Sequence, residues 1–109
     1  MADSMSLKTE HEHLRELIDA LSQAESCARM QILAPSNGVR VNFGTALRTC
    51  VVQAQSLSFY RNQRGWGQMA ALLDEAGKRP IRREDWPKIA DILHELSRKA
   101  TTLGHQRAH

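Results

Sequence analysis

The sequence predicts an all-α domain, either a small irregular four-helix bundle or a three-helix core with one short accessory helix. Three observations lead there. Apolar residues recur at threes and fours through most of the chain, the spacing of one face of a helix. Pro35-Ser36-Asn37-Gly38, Gly65 and Gly67, and Gly77 to Pro80 fall between these runs. No second convincing strand exists to satisfy the backbone edge of any sheet. At 109 residues the chain has room for one ordinary domain. Aromatic residues supply only 5%, so the core must be built mainly from Leu, Ile, Val, Met and Ala.

Residues 1–5 are expected to be loose, and residues 6–104 to form the domain. Ser6 is the candidate cap of the first helix, with Glu10 and Glu12 near the favourable end of its dipole. Leu7, Leu14, Leu17, Ile18, Leu21, Ala24, Ala28 and Ile32 give this helix one broad apolar face. Pro35-Ser36-Asn37-Gly38 reads as the turn that ends it. Val39-Arg40-Val41-Asn42-Phe43 alternates apolar and polar, the pattern of a short extended piece. Asn42 then caps a second helix, whose stripe is Phe43, Leu47, Cys50, Val51, Ala54 and Leu57. Residues 61–67 form an irregular connection. Met69, Leu72, Leu73 and Ala76 mark a short third helix that Gly77 terminates. Asp85 caps the last helix, with Pro87 in the first turn, where its missing donor is tolerated. Ile89, Ile92, Leu93, Leu96, Ala100 and Leu103 follow at helical spacing. Gly104 is expected to end the helix, and residues 105–109 to fray as a tail.

The formal net charge of +3 is unevenly spread. Residues before Arg61 carry five basic and six acidic side chains, and those from Arg61 onward ten and six. The excess gathers in Arg61, Arg64, Lys78, Arg79, Arg82 and Arg83, on the two connections around the short helix. A three-turn helix would hold these clusters roughly 15–20 Å apart, a spacing suited to several phosphates of one backbone. Tyr60 and Trp66 beside the arginines add a stacking surface. These residues are therefore the candidate nucleic-acid contact. No zinc-finger spacing, RNP-type strand or basic-zipper pattern accompanies them. The same side chains equally suit a solvated surface or the packed end of a bundle.

Chemistry is poorly supported. His11 and His13 lie two apart, on different faces of a helix, so they make no clean chelate. Asp91 and His94 share a face, yet neither has a nucleophile or pocket assigned to it. The acids on the first and last helices are too few, and too clearly on polar faces, for a di-iron centre. Cys27 and Cys50 fall within helices and read as buried thiols rather than a disulfide. The sequence thus predicts no catalytic residues, no metal and no cofactor.

No stretch approaches the ~20 apolar residues of a membrane helix, and acids in the first twenty residues argue against a signal peptide. A cytoplasmic, non-enzymatic interaction module, adaptor or subunit is the expected function, with a protein partner or a homo-oligomer. Leu7, Leu14, Leu21 and Trp66 are the candidate protein interface, because short later helices need not cover the whole first helix. A nucleic-acid-associated subunit is the first alternative, and a small metal-dependent or thiol-dependent enzyme the second.

Overall fold

A computed structural model describes residues 10–57, 71, 75 and 81–107. Among these residues the chain is entirely helical: α1 (Glu10–Leu33), α2 (Asn37–Gln55) and α3 (Trp86–Arg107), with a 3₁₀ turn over Arg83–Asp85 leading into α3. Ala71 and Glu75 also have helical backbone. The rest of the expected short third helix lies outside the described residues, as do Ser6 and the loose residues 1–5.

Each helix buries side chains at alternating steps of three and four. Leu14, Leu17, Leu21, Ala24, Ala28 and Gln31 form the seam of α1. Phe43, Leu47, Cys50 and Ala54 form that of α2, continued by Leu57 just past its end, and Trp86, Ile89, Leu93, Leu96 and Ala100 that of α3. This spacing keeps one seam facing its neighbours over several turns. Helix α1 packs against both α2 and α3. The short connection between α1 and α2 makes them antiparallel. Contacts between His94 and Glu25 and between Asp91 and Arg29 run α3 antiparallel to α1 as well.

Counting along both helices from the His13–Gln53 pair puts Phe43 level with Gln23 and Ala24. Phe43 and Trp86 meet edge to face, with ring centroids 5.0 Å apart and planes at 82°. Such a pair adds about 0.5–1.5 kcal/mol beyond its buried area. It joins the first turns of α2 to the start of α3.

Two local expectations need correction. Residues 39–43 are helical rather than extended, because Ser36 and not Asn42 begins α2. Ser36 has extended backbone, its Oγ accepts from Val39 N at 3.1 Å, and its carbonyl accepts the Arg40 N–H. Two amide donors of the new helix are thereby satisfied, and the apolar–polar alternation cannot compete. The second correction is that α3 runs through Gly104 to Arg107, so residues 105–107 continue the helix. One glycine carries only a modest propensity cost, and nothing after it interrupts the periodic pattern.

The apolar face of α1 is also shifted by one residue near its end. Gln31 is buried and Ile32 is exposed, which continues the alternation of three- and four-residue steps along the seam. The Gln31 amide oxygen accepts from Ser36 N at 3.0 Å, which ties the connection to the helix it leaves. Pro35, without an N–H, ends α1.

Three stability outcomes follow, each measured by urea unfolding. Leu17→Ala should cost about 2–5 kcal/mol through the cavity it leaves, whereas Val52→Ala, on an exposed site, should stay within about 0.5 kcal/mol. Ser36→Ala should cost about 1 kcal/mol and Ser36→Gly only a few tenths. Gly44→Ala should stabilise by about 0.8–1 kcal/mol, since Gly44 lies within α2 and an added Cβ there meets nothing within 4 Å. A loss of stability in Gly44→Ala would show that the site is not open.

Candidate functional site

The side chains expected to form an interface fall in different places. Leu14 and Leu21 are core residues, 3% and 0% exposed. That corrects their reading as contact residues, because the α2 and α3 seams cover the face that was expected to be left bare. Leu7 and Trp66 lie outside the described residues, as do Tyr60, Arg61, Arg64, Lys78 and Arg79. Arg82 and Arg83 are described and exposed, with Glu84 and Asp85 immediately following. Acid therefore sits beside base at the one described part of the basic cluster.

One concavity among the described residues is an open groove between α1 and α2, about 670 Å³ in volume. Asp19, Ser22, Gln23, Ser26 and Cys27 form one wall, and Asn42, Thr45, Ala46 and Thr49 the other. At 100° per residue, Cys27 and Ala46 lie beside the buried seams, and Asp19, Ser22, Ser26 and Thr45 lie farther round on the exposed faces. Thr45 Oγ1 donates to Val41 O at 3.2 Å, and Thr49 Oγ1 donates to Thr45 O at 3.1 Å. With their protons used on their own helix, both hydroxyls can only accept from a visitor. Asp19 is the one carboxylate in the lining.

Exposed apolar side chains lie on the same two helices, outside this lining. On α1, Met30 and Leu33 fall within about 60° of Asp19 and Ser26 around the axis, so they continue the same wall toward the connection. On α2, Val41 and Val52 fall on one side, within about 40° of each other. Leu33 is 81% exposed, Val41 67%, Val52 53% and Met30 50%. None of them was singled out as a contact residue in the sequence. The signal was present in their phase, since each sits off the seam of its own helix.

The titratable groups are engaged structurally. His13 Nδ1 lies 2.6 Å from Gln53 Oε1. With the amide oxygen accepting, the ring carries its proton on Nδ1, and a largely buried Gln53 is satisfied across α1 and α2. His94 Nδ1 lies 3.3 Å from Glu25, which also accepts from Arg29 Nε at 2.9 Å. Arg29 in turn reaches Asp91 at 3.9 Å. Asp91 and His94 are thus parts of a surface network between α1 and α3, not a proton-transfer pair. Arg98, hydrogen-bonded to Glu95, holds that carboxyl below its usual range. The described residues contain no group of three His, Cys, Asp or Glu side chains placed to share a metal ion.

Both cysteines are free thiols. Cys50 is fully buried, and burial pushes its thiol up to about 12. Cys27 is half-buried on the groove wall, and burial raises its thiol as well. A raised thiol supplies less of the reactive thiolate at neutral pH. Neither side chain is an activated nucleophile.

No helix among the described residues is long and apolar enough to cross a membrane. No family model, curated protein or solved structure matches the chain.

Two measurements check these assignments. Ellman's reagent on the native protein should label Cys27 first and Cys50 only after unfolding; equal rates would mean that Cys50 is accessible. The raised Cys50 value also has a definite sign. Unfolding returns that thiol to near 9, so its contribution to stability is complete below that pH and is lost as pH rises toward about 12. In a double-mutant cycle, His13→Leu and Gln53→Leu should each cost about 1–3 kcal/mol, and the double variant less than their sum. Additive costs would mean that the pair contributes no coupling.

Proposed function

We propose that this protein is a small non-enzymatic interaction module, which binds a protein partner or a second copy of itself through the outer face of the α1–α2 hairpin. The observation that carries the reading is the open groove between α1 and α2, with Met30, Leu33, Val41 and Val52 exposed on the same two helices. Small side chains lining a groove between two helices allow a third helix to approach closely, and apolar residues on the same helices supply area to bury. Cysteines held in the protonated form and histidines tied to Gln53 and Glu25 give the same region no evident chemistry. A cytoplasmic site of action is part of this proposal.

The second reading is a nucleic-acid-associated subunit. It draws on the exposed Arg82 and Arg83 and on the basic residues that precede them in sequence. It is the weaker of the two, because Glu84 and Asp85 adjoin those arginines and offset their attraction for phosphate.

Photo-crosslinking residues placed singly at Ser26, Thr45 and Lys88 test the first reading. Groove positions Ser26 and Thr45 should give defined adducts, Lys88 on α3 should not, and Leu33→Lys with Val41→Lys should abolish them. Adducts of twice the chain mass from purified protein, matched by sedimentation velocity, would identify a second copy as the occupant. Equal labelling from all three positions, or none, would overturn the assignment to this face. Fluorescence anisotropy against mixed-sequence DNA and RNA tests the second. Micromolar binding that falls steeply with salt and weakens in Arg82→Ala and Arg83→Ala would favour it over the first.

A further inference from the structure

We draw no further inference here: the strongest candidate, the open groove between α1 and α2 that runs toward exposed Met30 and Leu33, belongs to the face already proposed for binding, and nothing in the structure shows what covers it.

Discussion

Helix α1 is the wall on which the described fold is built. Its seam from Leu14 to Gln31 packs against α2 and α3 together, so burying one helix face organises both of the others. Helices in proteins draw most of their stability from packing of an amphipathic face rather than from propensity, and α1 has two partners to pack against. The same constraint explains why leucines that look available in the sequence are not. A face shared by two partners leaves no strip of the seam bare.

Polar side chains then fix the relative heights of the helices. Apolar contacts alone would tolerate a slide of one turn along a repeating seam, since the next turn presents similar residues. His13 against Gln53 pairs α1 with α2 at one level, and Glu25 against His94 pairs α1 with α3 at another. The first is largely buried, so a slide would strand a desolvated amide. The second is exposed and screened, and its worth is correspondingly small. Gln31, which satisfies Ser36 N–H, and Ser36, which caps α2, do comparable work at the connection. The consequence for function is geometric. With heights and rotations held, the flanks of α1 and α2 form a groove of defined lining rather than a shifting surface.

That lining differs in character from the core beside it. The seams are aliphatic and aromatic, whereas the groove is walled by serine, threonine, asparagine and glutamine with one aspartate. On the proposed reading, such a lining suits reversible association better than permanent assembly. Cys27 and Ala46 add apolar surface to it, and exposed Met30, Leu33, Val41 and Val52 lie outside it on the same helices. Larger apolar area in the floor would favour an obligate interface.

The sequence by itself determined the helical class, the three principal runs and most of the core. Leu17, Leu47, Leu93 and Leu96 could be assigned because apolar periodicity is local information, repeated several times within one helix. The start of α2 was harder to read. Ser36 had to be weighed against an alternating pentapeptide, and local patterning alone gave the cap no priority. Whether Gln31 or Ile32 faced inward turned on one residue of helical phase and on a hydrogen bond to the next connection. Only the tertiary structure decided that Leu14 and Leu21 are enclosed, that His13 meets Gln53 and His94 meets Glu25, and that a groove opens between α1 and α2. Those facts depend on how helices are rotated and raised against one another, over separations of 40 and 69 residues for the two pairs. A periodic pattern specifies which face of a helix is buried, but not which neighbour buries it or what the adjoining flank is left to do.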